Sequence, residues 1–103
     1  MKTLSFPKSK IKVLLLEKLD KAAFDIFSSE GYNVETYDGS LEEDELIKKI
    51  QDVSILGIRS KTNISKKVIE SANRLLSIGA FCIGTNQIDL IECAKNGITV
   101  FNA

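Results

Sequence analysis

VSILGIRS, from Val53 to Ser60, is a short apolar run that ends abruptly in an arginine and a hydroxyl group. Its apolar residues do not alternate with polar ones, which is typical of a strand buried on both faces. Such strands occur almost only in parallel sheets that carry helices on both sides. The stretch therefore predicts a central strand of an α/β fold, with Arg59 at its carboxyl end.

Other segments that are predicted to be strands lie on either side of this stretch. They are IKVLLLE (11–17), YNVETY (32–37), LLSIGAF (75–81) and ITVF (98–101). Helical patterns separate these segments. Their start residues are Asp20, Ser40 with Glu43 as an S-x-x-E capping box, Ser65 and Asp89, and their stop residues are Gly31 and Gly97. This alternation predicts an α/β flavodoxin-like three-layer sandwich, with a five-stranded parallel sheet in the order 2-1-3-4-5 and helices on both faces.

The totals of the chain fit one globular domain. Its 103 residues suffice for a single core, and residues 1–9 are expected to form a flexible arm ahead of it. Because 14 basic and 14 acidic residues cancel, no overall charge attracts nucleic acid or an anionic membrane. No apolar run approaches the ~20 residues of a membrane helix. Any anion recognition is therefore expected to be local.

Cysteine and histidine usage excludes several kinds of site. The two cysteines, Cys82 and Cys93, are too few for a disulfide framework and are interpreted as small buried thiols in a cytoplasmic protein. The sequence has no histidine, so neither a zinc site nor the commonest general acid or base is expected. The chain by itself is predicted to bind and not to catalyse.

The candidate site lies at the carboxyl ends of the strands, where ligands bind in open parallel sheets. Arg59 and Glu17 end two strands that are expected to be neighbours. One interpretation is that the two side chains pair with each other at the surface. The other is that Arg59 presents its guanidinium to a carboxylate or phosphate, with Ser60 and neighbouring amides completing the site and Lys61 adding a mobile charge.

Related folds and motifs are excluded by single residues. A receiver domain needs an aspartate where Arg59 ends the third strand, and a flavodoxin needs a hydroxyl-rich loop where this chain has EKLDKA (17–22). GAFCIGT (79–85) lacks the lysine of a nucleotide triphosphate loop, and no G-x-G-x-x-G occurs. Strands recur roughly every 22 residues, within the range of solenoid repeats, but no leucine-rich pattern repeats with them.

The segment LGIRSKTNISKKVIESANRLLSIGAFCIGTNQIDLIECAKNGITVFNA (56–103) closely resembles the D-isomer-specific 2-hydroxyacid dehydrogenase family. The similarity extends from about Lys10 to Ala103, and IGAFCIGTNQID followed by GITVFNA is its most specific part. Relative to the commoner family form GRAGTGVDNID, Ala80 replaces an arginine, Cys82 a glycine and Asn86 an aspartate. These differences indicate a particular subfamily.

The resemblance implies a two-domain enzyme that oxidises a small phosphorylated 2-hydroxy acid with NAD, as a homo-oligomer. Residues 10–103 would form the N-terminal segment of its substrate-binding domain, and the nucleotide-binding domain, with the catalytic residues, would lie outside this chain. Arg59, Ser60 and Lys61 would contact the substrate, the backbone of the Gly79 loop would face its carboxylate, and Ile83 would lie near the nicotinamide. Gly79 is expected immediately past the fourth strand. The alternative hypothesis is a free-standing flavodoxin-like module that binds anions without catalysis.

Overall fold

Strands and helices alternate along the chain in a computed structural model that describes residues 10–19 and 21–102. In chain order they are β1 (Lys12–Leu15), α1 (Lys21–Ser29), β2 (Asn33–Thr36), α2 (Glu43–Ile50), β3 (Val53–Ile58), α3 (Lys66–Ser71), β4 (Ser77–Ala80), α4 (Leu90–Lys95) and β5 (Thr99–Asn102). The predicted arm and the predicted cap at Asp20 lie outside the described residues.

All neighbouring strands pair in parallel, in the order β2-β1-β3-β4-β5. The predicted topology is confirmed, with β3 at the centre of the sheet. The chain order reverses between β1 and β3, so the ends of these two strands flank the switch point at which such sheets bind ligands. Leu15 is the last paired residue of β1 and lies opposite Gly57 of β3.

The main core lies on the sheet face that α2, α3 and α4 cover. Its fully buried members include Leu14, Leu46, Ile50, Leu56, Ile58, Val68 and Ile78. Each large apolar side chain contributes about 1.5–3 kcal/mol on burial. The opposite face carries α1 beside β2. Helices thus lie on both faces, as the sequence predicts, and the core holds the strand ends in a fixed register.

Two of the predicted helix starts are confirmed by side-chain caps. The Ser65 hydroxyl accepts the N–H of Val68 at 3.4 Å, and the Asp89 carboxylate accepts the N–H of Glu92 at 3.0 Å. Since these two residues close the loops after β3 and β4, the caps fix where each loop ends.

The predicted capping box at Ser40 is wrong. Helix α2 starts at Glu43, and its cap residue Glu42 makes no side-chain capping bond. The Glu43 carboxylate accepts instead from the Ser65 hydroxyl at 2.6 Å. The box fails because a partner distant in sequence binds the glutamate that the local pattern requires.

Two glycines end helices as predicted. Gly31 follows α1 with φ 92°, and Gly97 follows α4 with φ 70°. Residues with a side chain rarely adopt this left-handed conformation. Each glycine turns the chain directly into the next strand.

Candidate anion-binding site

A cleft of about 650 Å³ opens at the carboxyl ends of β3 and β4. It lies between the β3–α3 loop (residues 59–65) and the β4–α4 loop (residues 81–89) and is called here the loop cleft. Its lining residues are Arg59, Ser60, Asn63, Phe81, Cys82, Ile83, Gly84, Asn86 and Gln87. This lining contains one cation and no carboxylate. The composition suits a small anion.

The structure brings three of the predicted site residues together. Arg59, Ser60 and Ile83 line the loop cleft. Lys61 lines a second cleft of about 600 Å³, whose lining also includes Arg59, Ser60, Glu17 and Asp38. Because the two carboxylates offset the two cations there, the second cleft is a poorer site for an anion than the loop cleft.

Glu17 holds the β3–α3 loop from beneath. Its carboxylate accepts backbone N–H groups from Arg59 at 2.9 Å, Lys61 at 2.9 Å and Thr62 at 3.1 Å, and the residue is only 8% exposed. The buried Thr62 hydroxyl lies beside this carboxylate without meeting strict hydrogen-bond geometry to any described group. The loop backbone is therefore fixed by a charge 42 or more residues earlier in the sequence.

This contact decides between the two interpretations of Glu17 and Arg59. Glu17 binds the loop backbone, and no ion pair between the two side chains is found among the described residues. The amides on either side of Ser60, which were expected to bind the ligand, already donate to Glu17. In residues 10–19 and 21–102, the Arg59 guanidinium has no ion-pair partner. The side chain, and not those amides, is available to an anion.

The backbone at Glu17 is strained. Glu17 and Lys18 have φ 64° and 50°, in the left-handed region, which costs about 1–2 kcal/mol per residue for side chains with a Cβ. Their N–H groups donate to the carbonyls of Gly39 and Tyr37 at 3.0 and 3.1 Å. The turn aims the Glu17 carboxylate at the loop, and these hydrogen bonds offset the strain.

The pKa of Glu17 lies below its ordinary value of 4.5. Burial alone raises the pKa, but the N–H donors of Lys61, Arg59 and Thr62 favour the charged form and outweigh it. Because the folded pKa is depressed, the stabilisation from this carboxylate is present above pH 4.5 and is lost as pH falls through the folded pKa.

We therefore expect stability to fall less steeply below about pH 4.5 in Glu17→Gln than in the wild type. The measurement is urea unfolding at a series of pH values. Glu35→Gln is a positive control and should flatten the acid limb as well, since the pKa of Glu35 is also lowered, first by its hydrogen bond with Lys49. An acid limb of unchanged slope in Glu17→Gln would contradict this account of the loop.

The β4–α4 loop supplies the other wall of the cleft. The Cys82 thiol donates to the Gly84 carbonyl at 3.0 Å, and the Asn102 amide donates to the Cys82 carbonyl at 2.7 Å. Within the described ranges, the backbone N–H groups of Ile83 and Gly84 donate to no protein acceptor. These two N–H groups belong to the loop that faces Arg59 across the cleft.

Gly79 is not at the predicted place. It lies inside β4, opposite Gly57 of β3. A Cβ at Gly79 would meet the Phe81 ring at 3.1 Å, whereas one at Gly57 would meet two leucine side chains at 2.8 Å. Gly79 therefore leaves room for the Phe81 ring, and the glycine of the β4–α4 loop is Gly84.

Sequence reasoning overlooked Gly84, Asn63 and Asn86. GAFCIGT contains both Gly79 and Gly84, but only the structure shows that the second of them follows the strand. Cys82 is also corrected: Cys93 is buried as expected, but Cys82 is half-buried and lines the cleft.

The described part of the chain has neither a candidate metal site nor a candidate membrane-spanning helix. No group of three or more histidine, cysteine or acidic side chains there is placed to hold a metal ion. None of its helices has the length and apolar character that crossing a membrane requires.

Two relatives show which proteins the chain is similar to in sequence. The chain is 54% identical over 101 residues to the D-3-phosphoglycerate dehydrogenase of Dictyostelium discoideum, covering 98% of this chain and 25% of that protein. It is 50% identical over 98 residues to D-3-phosphoglycerate dehydrogenase 2 of Saccharomyces cerevisiae, covering 95% and 21%. The chain thus spans about a quarter of the length of these relatives.

A solved structure and a family model complete the comparison. The NAD⁺-bound 3-phosphoglycerate dehydrogenase of Entamoeba histolytica has the same fold, with a TM-score of 0.79 at 20% identity over 90% of this chain and 32% of that one. The model of the D-isomer specific 2-hydroxyacid dehydrogenase catalytic domain matches residues 13–103. The chain belongs to the D-isomer specific 2-hydroxyacid dehydrogenase family.

Proposed function

We propose that this chain is the substrate-binding segment of an NAD-dependent dehydrogenase that oxidises 3-phosphoglycerate to 3-phosphohydroxypyruvate, a reaction of L-serine biosynthesis. The observation that carries the proposal is the Arg59 guanidinium, which has no ion-pair partner among the described residues and lines the same cleft as the backbone N–H groups of Ile83 and Gly84. The relatives that are 54% and 50% identical are phosphoglycerate dehydrogenases by name.

The two walls of the loop cleft suit the two ends of the substrate. Arg59 offers a planar fork of donors that binds phosphate oxygens in pairs, and Ser60 adds a hydroxyl beside it. Across the cleft, the N–H groups of Ile83 and Gly84 suit the carboxylate. Lys61 adds positive charge from the second cleft. An acid that is anionic at both ends can engage both walls at once.

NAD would supply the hydride acceptor, and the residues of this chain would hold the acid. Ile83 is fully exposed beside the free amides, so its apolar side chain is available to the face of a nicotinamide ring. The chain has neither histidine nor a G-x-G-x-x-G loop. We therefore assign nucleotide binding and proton transfer to residues outside this sequence, in a protein whose substrate-binding domain includes residues 10–103.

The missing catalytic groups also support a second candidate, a flavodoxin-like module that binds anions without catalysis. Hydride transfer by the full-length gene product separates the two. We place the protein in the cytoplasm as a homo-oligomer. The cysteines of the described residues, Cys82 and Cys93, are free thiols, which favours a reducing compartment.

Amide NMR on the 103-residue chain tests the binding proposal. Adding 3-phosphoglycerate should shift the signals of residues 59–62 and 82–84. One charge-assisted contact is worth about 1.5–3 kcal/mol and millimolar affinity takes about 4 kcal/mol, so we expect binding no tighter than millimolar.

Two variants test whether Arg59 is the residue that binds the anion. Arg59→Ala should abolish the shifts, whereas Lys67→Ala, which removes an exposed charge from α3, should keep them. Shifts scattered over other parts of the chain, or unchanged in Arg59→Ala, would show that the anion binds elsewhere.

A further inference from the structure

Gln87 connects the two walls of the loop cleft. Its side-chain Nε2 donates to the Arg59 carbonyl at 2.9 Å and to the Cys82 sulfur at 3.3 Å. Arg59 belongs to the β3–α3 loop and Cys82 to the β4–α4 loop. Gln87 lies 28 residues after Arg59, so this contact is tertiary and crosses between the loops.

The backbone of Gln87 is anchored independently of its side chain. The Gln87 carbonyl accepts the N–H of Ile64 at 2.8 Å, and the N–H of Asp89 donates to the Ile64 carbonyl at 2.9 Å. Ile64 and Ile88 form a parallel bridge here and are both buried. The side chain therefore extends from a fixed base, and its replacement leaves these backbone bonds intact.

The two Nε2 contacts act on the residues that carry the binding groups. One holds the backbone carbonyl of Arg59, the residue whose guanidinium is proposed to bind the anion. The other holds the sulfur of Cys82, whose thiol donates to the Gly84 carbonyl at 3.0 Å. A single amide group thereby fixes the guanidinium wall relative to the free N–H groups of Ile83 and Gly84.

We propose that Gln87 is a positioning residue that sets the spacing between the Arg59 guanidinium and the amides of Ile83 and Gly84. This inference rests on the proposed function. With Gln87 in place, the phosphate and the carboxylate of one substrate molecule bind the two walls of the loop cleft at once. Without it, the two walls move relative to each other, so that binding of one end no longer brings the other end to its wall. Gln87 thus contributes to the selection of a phosphorylated acid over an unphosphorylated one.

The test uses Gln87→Met in the full-length gene product, because methionine has a similar length and no N–H donor. We expect the KM for 3-phosphoglycerate to rise about three- to tenfold, the effect of about one hydrogen bond. The kcat and the KM for NAD should stay unchanged. Gln51→Met, on an exposed glutamine after α2, is the matched control and should behave as the wild type.

A double mutant separates positioning from a merely structural role. If Gln87 acts through Arg59, Gln87→Met should have almost no further effect in an Arg59→Ala background. Gln87→Glu, which places an acceptor against the Arg59 carbonyl, should raise the KM more than Gln87→Met and provides a second variant should the first be unstable.

Each result has a distinct meaning. Non-additive effects of Gln87 and Arg59 variants support the inference, and additive effects overturn it while leaving the proposed function in place. An unchanged KM in Arg59→Ala alone overturns the proposed function and this inference with it.

Discussion

Replacing Arg59 with alanine is expected to raise the KM for 3-phosphoglycerate about a hundredfold in the full-length gene product, since hydrogen bonds to charged groups contribute about 1.5–3 kcal/mol. The loop cleft has no second cation in its lining. No neighbouring side chain in that lining can therefore replace the lost charge.

Steady-state kinetics with varied 3-phosphoglycerate measure this effect, and Arg59→Lys is the informative comparison. Lysine keeps the charge but loses the planar fork, so its KM should lie between those of alanine and the wild type. Lys67→Ala controls for the loss of one positive charge. A KM for Arg59→Ala within about threefold of the wild type, less than the effect of one hydrogen bond, would show that the phosphate binds elsewhere.

Replacing Glu17 with alanine is expected to lower the free energy of unfolding by about 3 kcal/mol and to abolish the NMR response to substrate. The change leaves three loop N–H groups without their acceptor, and buried donors without partners are costly. The left-handed backbone at this position remains strained, but the carboxylate contacts that help to offset the strain are lost.

Urea unfolding measures the loss, and Glu35→Ala is the matched control. The Glu35 carboxylate contacts Lys49 at 2.7 Å and Lys12 at 3.2 Å, and its side chain is 31% exposed. Such ion pairs near the surface contribute at most about 1 kcal/mol. Equal losses in the two variants would contradict the view that Glu17 is the support of the Arg59 loop.

The fold could be predicted because its signals are local. The strands β1, β3 and β4 are short, mainly apolar segments. Ser65 and Asp89 mark helix starts through their side-chain caps, and Gly97 marks a helix end through its backbone conformation. The parallel order then follows from general rules of chain connection. The capping box at Ser40 was wrongly predicted because the contact of Glu43 is not local. Its carboxylate binds Ser65, which is distant in the sequence.

The site was predicted only in part because it depends on contacts between distant residues. Arg59 could be identified from the place where a buried strand ends. Glu17 contacts loop residues that lie 42 to 45 positions away in the sequence, and Gln87 contacts Arg59 across 28 positions. Hydrophobic periodicity in a sequence does not reveal such contacts between side chains and distant backbone groups. Gly79 was chosen over Gly84 because the sequence does not show where β4 ends.

The most direct test of the central claim is a crystal structure with 3-phosphoglycerate bound. The account predicts that the phosphate contacts the Arg59 guanidinium and the Ser60 hydroxyl, while the carboxylate accepts from the N–H groups of Ile83 and Gly84. A phosphate bound in the second cleft beside Lys61, with Arg59 turned away from it, would contradict the account.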